Sequence, residues 1–122
     1  MSTQANTPPV FDPSAIEKLR KVGGDEASIF IAEVAQLFLE ETRKSLVELQ
    51  GAAERGDRER AARIGHSLKS SAATLGLMRF SAACENLETT ARGEGANDST
   101  AEAAGAVRDE FEHTTPILRN LG

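Results

Sequence analysis

Residues 58–76 read RERAARIGHSLKSSAATLG, a stretch that carries a clear helical pattern. Its apolar residues recur at helical spacing, which predicts a helix over about 58–75 that stops at Gly76. On a wheel of roughly 100° per residue, one stripe forms the predicted core face. That stripe contains Ile64, Leu68, Ser71 and Leu75, with Ala61 and Ala72 beside it.

The opposite face of this predicted helix presents His66 to solvent. Lys69, Ser70 and Ala73 follow His66 at i+3, i+4 and i+7, so they share its face. An exposed imidazole ordinarily has a pKa of about 6.5, so it is mostly neutral at pH 7 and can attack a phosphoryl donor. Lys69 can offset phosphate charge, and the small neighbours leave room for a donor protein. The alternative is that His66 is an ordinary surface residue.

The rest of the chain predicts further helices. With 122 residues it has the size of one domain, and it is rich in Ala, Leu, Glu and Arg with few β-branched residues. Helices are predicted over about 13–21, 26–55 and 77–92, and Ser99-Thr100-Ala101-Glu102 fits a capping box that opens a last helix. Pro116 should kink or break that last helix. Short joints favour an all-α, antiparallel up-down bundle.

Turn residues punctuate these helices. Asp12-Pro13 predicts an N-cap and first helical residue, and Gly23-Gly24 ends the first helix. Gly56-Asp57 predicts a C′ residue followed by the next N-cap. Residues 1–10 predict a disordered tail before a single helical domain at 11–122, and 93–99 predicts a flexible loop.

Composition narrows the classes of function. A net charge of -5 and the absence of Trp and Tyr argue against nucleic acid and anionic membranes as partners. We find no signal-peptide pattern and no membrane span. We also find no nucleotide-binding glycine loop and no metal-ligand spacing, so we expect that the protein has no cofactor or metal of its own. Cys84 lies on an apolar stripe and is expected to be buried, and His113 is expected to be an ordinary surface residue. Four phenylalanines at helical spacing are expected to fill the core: Phe30, Phe38, Phe80 and Phe111.

The stretch from His66 to Gly76 also resembles the signature of histidine-containing phosphotransfer (HPt) domains, H-x-L-K-G-S-[AS]-x-x-L-G. The resemblance extends over about 12–118 and includes Gly56-Asp57, nine residues before the histidine. It implies a four-helix bundle with a short additional N-terminal helix across one end. It implies that His66 is phosphorylated and that Lys69 lies beside it. The sequence departs from the signature at Ser70, where the family usually has Gly. Docking could therefore be tighter or narrower in its choice of partner, or the hydroxyl could hydrogen-bond the phosphate.

The same resemblance implies weaker assignments. Glu88 aligns with a polar position near the histidine, where it could hold Nδ1 and leave Nε2 to react, or be an ordinary solvated residue. Arg92 aligns with a cation sometimes found near the phosphate, or is a helix C-terminal charge. The second helix is apolar on more than one side, so the first helix covers the surplus or part of it stays exposed. Ile16, Leu19 and Ile29 are the candidate docking residues, together with Ser70 and Ala73.

These observations predict a cytoplasmic, monomeric phosphocarrier without kinase activity. His66 would accept a phosphoryl group from a receiver aspartate, with Mg²⁺ held by the receiver, and pass it to another response regulator. Receiver domains and a hybrid sensor histidine kinase are the expected partners. One alternative is an adaptor that binds receivers and is never phosphorylated. Another is a dimerising kinase core, which the four long helical segments disfavour because such cores are two-helix hairpins.

Overall fold

The structure is a computed structural model that describes residues 8–93 and 97–121, with only the backbone of residues 97 and 98. Its helices are α1 (Pro13–Gly23), α2 (Ala27–Glu54), α3 (Arg58–Thr74), α4 (Met78–Arg92) and α5 (Asn97–Arg119), and a 3₁₀ turn (Gly24–Glu26) joins α1 to α2. The described residues contain no strand, so the all-helical prediction is confirmed. The bounds predicted for the first four helices are correct to within two residues.

Four long helices form the bundle and the short α1 packs on α2. Helix α2 packs on α3 and α5, and α4 packs on the same two helices from the other side. The rings of Phe38, Phe80 and Phe111 meet in the centre, with centroid distances of 6.0 and 5.9 Å. The predicted burial of Cys84 and of these three phenylalanines is confirmed, and Leu87, Val107 and Leu118 are buried with them.

The predicted joints are also confirmed. Asp12 caps α1 by accepting from Ser14 N at 3.0 Å, and Asp57 caps α3 by accepting from Arg60 N at 3.1 Å. Gly76, which follows α3, has a φ of 80°, and its carbonyl accepts from Asp12 N at 2.8 Å. A Cβ at position 76 would lie 2.4 Å from Asp12 O, so glycine permits α1 to begin against the end of α3.

The predicted start of α5 is wrong, and of the kink or break expected at Pro116 the break does not occur. The helix begins at Asn97, two residues before the predicted capping box at Ser99. Pro116 does not break it, because the helix continues to Arg119. Leu118 lies just beyond the proline and is 2% exposed, so burial of the last turn compensates for the hydrogen bond that proline removes.

Two predicted core residues are exposed instead. Ser71 lies on the rim of a groove between α2 and α3, which leaves this flank of α3 open. Phe30 is 43% exposed, because α2 turns Ile31 and Ala27 inward and no helix covers its other apolar side. The predicted tail falls mostly on residues 1–7, outside the described residues, while Pro8 O accepts from Arg79 Nε at 3.1 Å. Of the predicted loop at 93–99, residues 94–96 also lie outside the described residues, and residues 97–99 belong to α5 instead.

Candidate functional site

The candidate site is centred on His66, on the outward face of α3. Its side chain is 63% exposed, in agreement with the helical-wheel prediction. Its Nδ1 lies 3.0 Å from Oε2 of Glu88, which projects from the neighbouring α4. Glu88 itself is buried, so the imidazole is supported by a carboxylate that faces little water.

Glu88 is shared by three cationic or titratable side chains. Lys69 Nζ donates to its Oε1 at 2.6 Å, and Arg92 Nη1 donates to Oε2 one turn further along α4. The hydrogen bond from Lys69 is the largest cause that lowers the pKa of Glu88 to about 2. Arg92 and His66 lower it further, and burial opposes them. The group at position 88 is therefore a carboxylate at neutral pH.

The carboxylate fixes the tautomer of the neutral imidazole. An ionised carboxylate can only accept hydrogen bonds, so the ring proton of neutral His66 must be on Nδ1. The lone pair is then on Nε2. Because most of the imidazole is exposed, an incoming electrophile can approach this nucleophile without displacing protein atoms.

The sequence analysis did not single out Gly65, which lies buried at the contact between α3 and α4. A Cβ at this position would be 2.7 Å from Cys84 O and 3.2 Å from Glu88 N. The available signal was a glycine inside a helical pattern, which costs about 1 kcal/mol relative to Ala and therefore indicates a packing reason.

The candidate docking residues divide into three groups. Ser70 and Ala73 are exposed on the face of His66, and Ile29 is 64% exposed on α2. Leu19 is half-buried against the core. Ile16 is 4% exposed and belongs to the core, so it offers no surface to a partner and its assignment as a docking residue is corrected.

An apolar groove borders this face of the molecule. It has a volume of about 300 Å³, and Val34, Leu37 and Phe38 of α2 face Ser71 and Thr74 of α3 across it. Leu37 is 57% exposed within it. Part of the apolar surplus on α2 is therefore uncovered, as one of the two alternatives for this helix predicted.

The other candidate groups lie apart from the site. Burial raises the pKa of the Cys84 thiol to about 12, which opposes a role as a thiolate nucleophile. His113 is exposed and lies 3.4 Å from Glu110. The described part of the chain contains no group of three or more potential metal ligands. It also contains no helix long and apolar enough to cross a membrane.

The structure is thus a helical bundle with one exposed histidine whose Nδ1 is held by a buried carboxylate. Comparisons with known proteins agree. The family model of the Hpt domain matches residues 33–115. The chain therefore belongs to the Hpt domain family.

Two relatives place this membership in context. The chain is 28% identical over 79 residues to multistep phosphorelay regulator 1 of Schizosaccharomyces pombe. The match covers 65% of the chain and 27% of that protein, so the chain corresponds to about a quarter of this relative's length. The fold matches the crystal structure of histidine-containing phosphotransfer protein B (HptB) of Pseudomonas aeruginosa PAO1 with a TM-score of 0.79, at 22% identity and over 91% and 92% of the two chains.

Proposed function

We propose that this protein is a phosphocarrier of a multistep phosphorelay and that His66 carries the phosphoryl group on Nε2. The observation that supports this most directly is the hydrogen bond between His66 Nδ1 and the buried carboxylate of Glu88. It directs the lone pair of a neutral imidazole outward, toward solvent, from which another protein can bring a phosphoryl donor.

The proposed step moves one phosphoryl group between two side chains. The Nε2 lone pair attacks the phosphorus of an aspartyl phosphate on a receiver domain, an N–P bond forms, and the P–O bond to the aspartate breaks. The receiver's carboxylate leaves with that electron pair. The imidazole ring gains positive charge while its proton stays on Nδ1, where Glu88 accepts the hydrogen bond. The reverse step passes the group to a second receiver.

Lys69 and Arg92 supply cations next to the transferred group. Each donates one hydrogen bond to Glu88. An ammonium has three N–H donors and a guanidinium has five, so both side chains keep donors for phosphate oxygens without releasing Glu88. A receiver-bound Mg²⁺ would supply further positive charge from the partner's side.

We assign no metal, cofactor or kinase activity to this chain. We propose that it acts in the cytoplasm and as a monomer.

The docking surface is proposed to combine the face of His66 with the α2–α3 groove. Ser70 and Ala73 surround the histidine with small side chains, and Leu37 and Ile29 add exposed apolar area on α2. Receiver domains and a hybrid sensor histidine kinase are the proposed partners. Ser70 places a hydroxyl where a phosphate oxygen or a receiver backbone would approach.

The first experiment follows radiolabelled phosphate from phosphorylated receivers to the wild-type protein, to His66→Gln and to His113→Gln. His113 is the other histidine of the chain and is exposed, so it is the matched control. We expect acid-labile, alkali-stable label on the wild type and on His113→Gln, and none on His66→Gln. Receivers that bind the wild type without transferring label would contradict the proposal and indicate an adaptor.

A second experiment tests the docking surface with charge substitutions on one helix. Ile29→Asp and Leu37→Asp lie in the proposed surface, whereas Val47→Asp changes a still more exposed apolar residue of α2 that lies beside α5. All three should retain helical circular dichroism. We expect the first two to slow transfer about tenfold and Val47→Asp to leave it unchanged. Equal effects from all three variants would place the receiver elsewhere.

A further inference from the structure

The close contact between α3 and α4 occurs at Gly65, immediately before His66. A Cβ there would lie 2.7 Å from Cys84 O and 3.2 Å from Glu88 N. In helical geometry, Glu88 N donates to the carbonyl four residues earlier, which is Cys84 O. Gly65 therefore lies directly against the hydrogen-bonded turn of α4 that carries Glu88.

This contact has little freedom to adjust. Two of its atoms are backbone, and the third, Leu87 Cδ2, would lie 3.3 Å from the added Cβ. Cys84 and Leu87 are both 0% exposed, so the turn is fixed on its other sides by the core. An added methyl group at an ordinary contact distance of 3.4 Å requires the α4 backbone to move away from α3 by about 0.7 Å.

Such a movement would separate Glu88 from the side chains of α3. Its bonds to His66 at 3.0 Å and to Lys69 at 2.6 Å both cross between the helices. Its bond to Arg92 lies within α4 and would move with it. We propose that Gly65 is a positioning residue: it sets the helix spacing at which Glu88 reaches Nδ1 of His66 and thereby selects the reactive tautomer. The consequence for phosphotransfer rests on the proposed function, whereas the consequence for the tautomer does not.

The test measures the ring nitrogens of His66 by ¹⁵N NMR in the unphosphorylated full chain. Gly65→Ala is compared with Gly105→Ala, a substitution within α5 at which an added Cβ meets no atom within 4 Å. We expect the wild type and Gly105→Ala to hold the proton of the neutral ring on Nδ1. Gly65→Ala should shift the population toward the Nε2–H form and slow phosphotransfer about tenfold or more, since misplacing a reacting group by ~1 Å can cost ~10²-fold.

A second variant keeps the test decisive if Gly65→Ala does not fold. Glu88→Asp shortens the side chain by one methylene while Gly65 and the helix contact stay intact. We expect the same change of tautomer. A folded Gly65→Ala with the wild-type tautomer would overturn the proposal, as would an unchanged tautomer in Glu88→Asp. If the tautomer changes as expected but the wild type accepts no phosphate, the positioning role stands and the proposed function fails.

Discussion

The buried residues of α3 are on average smaller than those of α2 and α5. On α3, most buried residues are small: Ala61, Ala62, Gly65 and Ala72. On the side of α2 and α5, the buried residues include larger ones, among them Leu49, Val107 and Phe111. Small residues let helix backbones approach, and this approach brings polar groups of α3 and α4 into contact. The larger side chains supply apolar burial together with Phe80 of α4, so the side of α2 and α5 contributes mainly to stability, whereas the contact of α3 with α4 also builds the site.

Buried polar groups show the same contrast. Glu88, next to the small residues, accepts from Lys69, Arg92 and His66. Thr42, in α2, is 0% exposed, and its Oγ1 has no hydrogen-bond partner among the described residues. Glu88 is therefore fully hydrogen-bonded where the helices meet closely at the site, whereas the Thr42 hydroxyl is unsatisfied within the apolar core.

The largest expected effect comes from breaking the apolar side. Phe111→Ala removes a 7% exposed ring that contacts Phe80, so it should lower the free energy of unfolding by about 3–5 kcal/mol. Urea denaturation followed by circular dichroism measures this loss. The ring-nitrogen shifts of His66 should stay unchanged under native conditions, because α3 and α4 keep their contact. A change of tautomer in this variant would show that the two sides are not separable.

The next prediction concerns Glu88 at the polar contact between α3 and α4, whose contribution to the free energy of unfolding depends on pH. The pKa of Glu88 is lowered from 4.5 to about 2 in the folded protein, so the unfolded chain takes up this proton first as pH falls. The carboxylate therefore stabilises the fold fully above about pH 4.5, and this contribution is lost as pH falls toward about 2. Glu88→Gln should remove this stabilising contribution. The difference in the free energy of unfolding between the wild type and Glu88→Gln should therefore shrink as pH falls from about 4.5 to about 2.

Urea titrations at several pH values between about 2 and 6 measure this difference. Glu85→Gln removes an exposed carboxylate from the same helix and is the matched control. A stability difference between wild type and Glu88→Gln that is constant from pH 6 to pH 2 would contradict a depressed pKa at this carboxylate.

Local rules predicted most of the fold. Asp12, Asp57 and Gly24 act at single turns, so capping and glycine preferences located both ends of α1 and the start of α3. Residues whose state depends on distant packing were predicted less well. Pro116 continues a helix because Leu118 beyond it is buried, and Ser71 and Phe30 are exposed because no other helix covers them.

The site was predictable to a similar extent. The wheel placed His66 and Lys69 on one outward face, because both belong to one helix. The contact with Glu88 joins residues 22 positions apart on two helices, and only the family resemblance indicated it. The spacing at Gly65 is a tertiary distance that no periodicity encodes. Ile16 was assigned to a surface for the same reason, since its burial depends on how α1 lies on the bundle.

The smallest expected effect comes from a comparison of two buried hydroxyls, those of Thr42 and Thr114. Thr42→Val replaces an unsatisfied hydroxyl by a methyl group, so it should raise the free energy of unfolding by about 1 kcal/mol. Thr114 is the matched control, because it is equally buried and its hydroxyl donates to Phe111 O at 2.8 Å. Thr114→Val should instead lower the free energy of unfolding by about 1 kcal/mol, the net value of one hydrogen bond. Both changes are measurable by urea denaturation at neutral pH. If the two variants shift stability in the same direction, hydroxyl satisfaction does not distinguish these positions, and packing of the added methyl group governs both.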